Sequence, residues 1–321
     1  MELWAGRRML RGGAGMKAAG KLGSYGLVLV VVFGGALGVG TMVGPVTPRE
    51  GASVAAGEGD GHSDHSGHGV GGQSGAVPGG LQVSQDGYTL NPISTIATGA
   101  PAEFRFTVIG PDGTPVTAYQ VEHDKKMHLV VASRDLTSFQ HVHPSMAPDG
   151  TWSVGLAVPK AGSYRAFADF VPAEGEKLTL GVDLQAAGDY RPEPLPHVSR
   201  TAAVGDYTVN LAGDIVPGRA SKLVMTVSKD GEPVDDLEPY LGAYGHLVAL
   251  RAGDLAYLHV HPEERDEAGP EVTFVAEAPS RGDYRLFLDF KHEGKLRTVG
   301  FTVTAVLSDG HAPSATHDHT H

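Results

Sequence analysis

Two short stretches carry the residues best suited to chemistry: "SFQHVHP", ending at Pro144, and "AYLHVHP", ending at Pro262. Along a strand, successive side chains alternate between faces, so His141 and His143 share one face, with Val142 turned to the other. His259 and His261 share a face in the same way, around Val260. Such a pair can chelate one ion, and the proline behind it ends the strand. A third histidine stands 13 residues before the first of each pair, His128 before His141 and His246 before His259. If short turns at Arg134-Asp135 and Gly253-Asp254 join the strands, His128 is expected opposite His143 and His246 opposite His261. Three imidazoles then converge on each hairpin. A slip of one residue would send His128 to the other face.

Asp169 in "FADF" and Asp289 in "FLDF" occupy equivalent places further along. Each is expected either as a fourth ligand or as a group that orients a ligating imidazole. The alternative is a salt bridge to Arg165 or Arg285, four residues earlier on the same strand face. The two copies differ at most positions yet both keep three histidines and the aspartate. This points to paired metal sites, one of His128, His141, His143 and Asp169, the other of His246, His259, His261 and Asp289. With no cysteine in the chain, a metal must be held by nitrogen, oxygen or methionine sulfur. Imidazoles with a carboxylate suit copper or zinc, and the intrinsic affinity order puts copper first. Met127 and Met146 lie near the first triad but lack counterparts in the second copy, and Met127 is expected in the core. His123 and His292, which have no counterparts either, are read as surface residues, as is His197.

The elements that must position these residues form a repeat. From about Leu81 to Ala187 and again from about His197 to Val306, the chain follows one plan. A tyrosine-bearing strand leads to a hairpin with Asp-Gly at its turn ("IGPDGTPV", "VSKDGEPV"). The histidine hairpin follows, and then Gly-x-Tyr-Arg and a last strand. Six or seven short strands in about 110 residues, with no helical periodicity, predict two tandem immunoglobulin-like antiparallel β-sandwich domains, an all-β fold. Gly162 to Tyr164 and Gly282 to Tyr284 resemble the tyrosine corner of such sandwiches. The expected domains are 81–190 and 197–306.

Ahead of them, residues 1–24 are basic, and residues 25–44 run without charge for about the 20 residues that a membrane-spanning helix needs. Basic residues before the run and none close behind it predict a cytoplasmic N-terminus and a single-pass protein with extracytoplasmic domains, secreted if this segment is cleaved. Residues 45–80 form a glycine-rich linker with His62, His65 and His68, and residues 307–321 form a tail with four more histidines. Both are expected to be disordered and to collect cations weakly. The first 50 residues hold six Lys and Arg against two Glu, which leaves −16 of the net −12 on the rest. An acidic exterior argues against nucleic acid and suits cations.

Small His-rich sandwiches outside the membrane, with His-x-His on a strand, resemble the bacterial extracytoplasmic copper-handling proteins of CopC-like and YtkA-like type. The resemblance covers the two repeats only, and the N-terminal histidine ligand of CopC-like proteins has no equivalent here. It implies the architecture and the metal class, carried on His128, His141, His143, His246, His259 and His261. The reading is a membrane-anchored metal-binding protein for storage, delivery or resistance, with copper as the ion and zinc as the alternative. A metal-accepting or metal-exporting envelope protein is the expected partner. The other reading is a non-metal immunoglobulin-like interaction module of the cell envelope. No nucleophile motif, phosphate loop or acid-base pair accompanies the histidines, so an enzyme is not expected.

Overall fold

The computed structural model describes residues 77–263, 265 and 267–306, with the backbone alone at His259. The predicted membrane span, most of the linker and the C-terminal tail lie outside these residues. Among the described residues no helix is long and apolar enough to cross a membrane.

The first repeat has nine strands: β1 (Ser84–Gln85), β2 (Tyr88–Pro92), β3 (Ala102–Ile109), β4 (His128–Ser133), β5 (Phe139–Val142), β6 (Ser145–Met146), β7 (Trp152–Leu156), β8 (Gly162–Phe170) and β9 (Leu178–Ala186). They form two antiparallel sheets, ordered β1-β2-β3-β7-β6 and β5-β4-β8-β9. The second repeat continues with β10 (Thr201–Val204), β11 (Tyr207–Ala212), β12 (Ala220–Lys229), β13 (Glu232–Pro233), β14 (Gly245–Arg251), β15 (His259–Pro262), β16 (Glu271–Glu277), β17 (Gly282–His292) and β18 (Lys295–Ala305). Its sheets are β10-β11-β12-β16-β15 and β14-β17-β18. Each pair of sheets closes on its own apolar core, centred on Phe106, Leu129 and Phe170 in the first repeat and on Val227, Phe274 and Phe290 in the second. The Tyr164 hydroxyl donates to the Lys160 carbonyl and the Tyr284 hydroxyl to the Ser280 carbonyl, 2.8 Å in both cases. These are the tyrosine corners expected of immunoglobulin-like sandwiches.

A third apolar cluster lies between the repeats. In β4 all six residues, "HLVVAS", are buried. One face of the strand, with Leu129 and Val131, enters its own core, while Val130 and Ala132 on the other face meet the second repeat. Strand β14 behaves alike: Leu247 and Ala249 face inward, and Val248 and Leu250 face the first repeat. The joint is completed by Phe167 and Phe287 from equivalent positions of β8 and β17, with Phe139 stacked on Phe287 at 4.0 Å between ring centroids. The hairpin turns also touch, because Arg134 Nη2 donates to the Gly253 carbonyl at 2.7 Å. The repeats thus meet through equivalent faces, as a two-fold dimer does, but within one chain. Replacing Phe287 by Ala is expected to cost about 3–5 kcal/mol of stability by chemical denaturation, as loss of a buried Phe side chain does.

Gly79 and Gly80, read from sequence as the end of the linker, are part of this joint. The Tyr257 amide donates to the Gly79 carbonyl and the Gly80 amide to the Thr179 carbonyl. Gly80 has φ +74° and lies against Phe167, where a Cβ would come within 2.5 Å of the ring.

Candidate metal centre

The first hairpin folds in the register that the spacing predicts. Val130 pairs with His141 and Leu129 with Val142, which carries His143, just past the strand end, to the position opposite His128. One nitrogen from each of His128, His141 and His143 lies within 4.8 Å of the others. His128 Nδ1 is 3.2 Å from His141 Nε2 and 3.2 Å from His143 Nε2. Nitrogens bound tetrahedrally to one ion at the usual zinc–imidazole distance are about 3.3 Å apart, so this spacing suits a shared cation.

The outer nitrogens of these rings are held in place. His128 Nε2 lies 3.1 Å from the Glu122 carbonyl. A carbonyl only accepts, so Nε2 carries the hydrogen and, in the neutral ring, Nδ1 turns a lone pair inward. His141 Nδ1 lies 2.9 Å from Asp289 Oδ2, both side chains being almost fully buried. The carboxylate, which belongs to the other repeat, thereby turns His141 Nε2 inward. Its second oxygen accepts from Thr298 Oγ1. His143 Nδ1 faces the Tyr240 hydroxyl at 3.4 Å, also across the joint. His128 Nδ1 and His141 Nε2 thus face each other with lone pairs at 3.2 Å, which repel in neutral rings unless a cation stands between them. The Tyr240 hydroxyl both donates and accepts, so His143 can turn either a lone pair or its Nε2 hydrogen toward His128 Nδ1.

Burial holds the His128 and His143 imidazoles far below the ordinary histidine range, at about 3, and the neighbouring His141 ring pushes both in the same direction. His246 is lowered too, again chiefly by burial. Burial pushes the Tyr257 phenol well above its usual value, aided by the Asp169 and Asp289 carboxylates.

The second hairpin departs from expectation. Near its turn the register is as predicted, with Leu250 bridged to Tyr257 and the Leu258 amide donating to the Ala249 carbonyl. The chain then changes sheets. The "HVHP" segment pairs with β16 instead of β14, setting His259 opposite Glu277 and His261 opposite Val275. In the first repeat the same crossing comes after Val142, so the histidine pair stays with His128. In the second it comes before the pair, so the segment joins the larger sheet beside β16 and leaves β14 at the edge of the three-stranded one. His261 is therefore exposed on the other sheet and not opposite His246. His246 is left at the joint, its Nε2 2.7 Å from the Tyr240 carbonyl, the contact equivalent to His128 with Glu122, and its ring 6.3 Å from His141.

The aspartates also separate in role. Asp289 orients His141, while Asp169 accepts from Thr179 Oγ1 at 2.8 Å and faces Lys177 Nζ at 3.3 Å. Neither contacts the arginine four residues earlier: Arg165 pairs with Asp183, and Arg285 donates to Thr302. Met127 is wholly buried in the core. His292, read as a surface residue, is buried between the Tyr207 hydroxyl and Asp236. His197 is exposed. His123 is exposed as well, but its ring lies 5.6 Å from that of His246 and 6.3 Å from that of His128. A cavity of about 150 Å³ adjoins the centre, lined by His123, His128, His141, Asp169, His246 and Tyr257 among others.

Fold and site together define a two-repeat immunoglobulin-like sandwich with a histidine cluster where the repeats join. A family described as "Domain of unknown function (DUF8832)" matches residues 82–190 and 202–306, and the chain belongs to this family. No curated protein matches it. Among solved structures it is similar to the Escherichia coli adhesin FdeC, with 13% identity over 72% of this chain and 66% of that one, at a TM-score of 0.23. Invasin, a bacterial integrin-binding protein, gives 15% identity over 67% and 39%, at 0.20. Domains 4 and 5 of the S-layer protein SbsC give 12% over 70% and 99%, at 0.22. The match spans less than two thirds of the length of FdeC and of invasin. At these scores the likenesses carry no argument about function.

Proposed function

We propose that this chain is a metal-binding protein whose folded part holds one ion per chain between His128, His141 and His143, with Asp289 and Tyr240 of the second repeat fixing two of the three rings. The observation that carries the reading is the 3.2 Å approach of the inward-turned nitrogens of His128 and His141, whose outer nitrogens are committed to a carbonyl and a carboxylate, with His143 Nε2 at the same distance from His128. Copper(II) is the first candidate by the intrinsic affinity order, and zinc is the alternative, since three imidazoles with room for a fourth ligand suit both. The acidic exterior and the histidines of linker and tail, which gather cations near the domain, fit storage, delivery or resistance on the outer side of a membrane. The copper-handling sandwiches remain the family resemblance that best matches this chemistry, with an envelope protein as the donor or acceptor of the ion.

A second reading has its own support. Hydrogen bonds among the three rings, closed off by Asp289 and Tyr240, would make the cluster a structural seam in a non-metal interaction module. Calorimetric titration of the full chain with its linker and tail histidines replaced by Ala separates the two. One Cu(II) or Zn(II) held far more tightly than by free imidazole is the result expected of the metal centre; heat no greater than dilution is that of the seam. Within the metal reading, Asp289→Asn keeps the shape of the side chain and removes its charge. It should weaken binding about 10–100-fold, as losing an outer partner of a histidine ligand does, without changing the denaturation midpoint of the metal-free protein by an equivalent amount.

A further inference from the structure

We infer that His123 and His261 form the entry route of the ion: a two-step relay from solvent to the His128–His141–His143 centre, which neither histidine joins at equilibrium. The inference rests on the metal reading above. A second cavity, of about 420 Å³, opens beside the joint and is lined by His123, His261, Glu263, Arg265 and Glu271 among others. His123 lines this outer cavity and the inner one alike, so it stands in the wall between them. Its ring is within 6.3 Å of His128 on the inner side, and it is itself exposed. His261, carried to the outer cavity by the crossing of the second hairpin, is exposed too.

The backbone at His123 suggests that its place is specified. Residues 122–125 form a tight turn closed by reciprocal hydrogen bonds between Glu122 and Lys125, and residues 240–243 form the matching turn between Tyr240 and Ala243. His123 and Asp124 both have positive φ, 46° and 60°, as Leu241 and Gly242 do in the other repeat. The turn presents an imidazole in the first repeat where the second presents Leu241, directly after the carbonyl that fixes His128. An ion stripped of water moves most easily when each ligand is exchanged for another within reach. His261 and His123 line the outer cavity together and His123 borders the inner one, so the ion would pass from one to the other and on to the triad, with Glu263 and Glu271 adding negative charge at the mouth and Arg265 and Lys222 offsetting part of it.

The test is stopped-flow loading with Co(II), whose visible absorption is strong only in tetrahedral sites, on the full chain with linker and tail histidines replaced by Ala. His123→Asn suits the positive φ better than Ala would, and His261→Gln changes an exposed side chain. Each should slow loading about tenfold, within the range by which a lined cleft raises on-rates, with final absorbance and competition affinity unchanged. Loading as fast as in the parent would overturn the relay and leave the metal centre standing. Lost absorbance in His123→Asn would overturn it too, making His123 a resident ligand. No tetrahedral absorption in the parent would sink the metal reading along with the relay.

Discussion

Replacing His141 by Ala should abolish tight metal binding by the whole folded chain, not by half of it. His141 is the ring that joins the two repeats, with Nε2 turned toward His128 and Nδ1 toward Asp289. Its loss removes one of three ligands and leaves the Asp289 carboxylate buried without its imidazole, so the fall in affinity should exceed the roughly 10–100-fold expected for an outer partner. His128→Ala and His143→Ala should act alike. The contrast comes from the second repeat, where His261→Gln should leave the equilibrium constant within about threefold, since the residue lies outside the cluster and exposed substitutions cost little. Two independent sites would instead lose half of the bound metal in each single variant. Calorimetry on the four variants decides between these patterns.

The second large effect concerns acid. His128 and His143 have folded values near 3, against an ordinary value of 6.5. The unfolded chain therefore binds more protons between those limits. The stability that these neutral imidazoles contribute is complete above pH 6.5 and is lost as pH falls from 6.5 toward 3. Each group contributes about 1.4 kcal/mol per pH unit in that window, so the two together give a slope near 3 kcal/mol per unit. Against a total stability of about 5–15 kcal/mol, this is enough to unfold the metal-free domain within a few units. The double variant His128→Gln, His143→Gln should flatten the slope, measured as denaturation midpoint against pH. Because protons compete poorly for these two rings while the fold holds, the centre should also keep its ion at pH values where imidazoles of ordinary pKa have released theirs.

The first triad was legible in the sequence because it is local: one hairpin, a short turn and a period of two bring His128, His141 and His143 together. The tyrosine corners were legible for the same reason. The second triad was not, because the step that decides it is tertiary. After Leu258 the chain can continue beside β14 or cross to β16, and the alternation of "LHVHP" suits either edge. The joint between the repeats has a signature in the sequence. "HLVVAS" and "HLVALR" are apolar on both faces, the pattern of strands covered on two sides, and the second cover could only come from outside the domain. His292 was missed because one histidine at a strand end gives no hint of the Tyr207 and Asp236 that close around it.

One ion is expected between the repeats, on rings of the first repeat oriented by side chains of the second. An anomalous-diffraction map of crystals of the full chain, loaded with one equivalent of Cu(II) and measured on either side of the copper edge, tests it most directly. One strong peak is expected about 2 Å from His128 Nδ1, His141 Nε2 and His143 Nε2, the ordinary metal–imidazole distance, with Asp289 still on His141 Nδ1. No peak there, with His128 Nδ1 still 3.2 Å from His141 Nε2 and from His143 Nε2, would show that the cluster holds no metal.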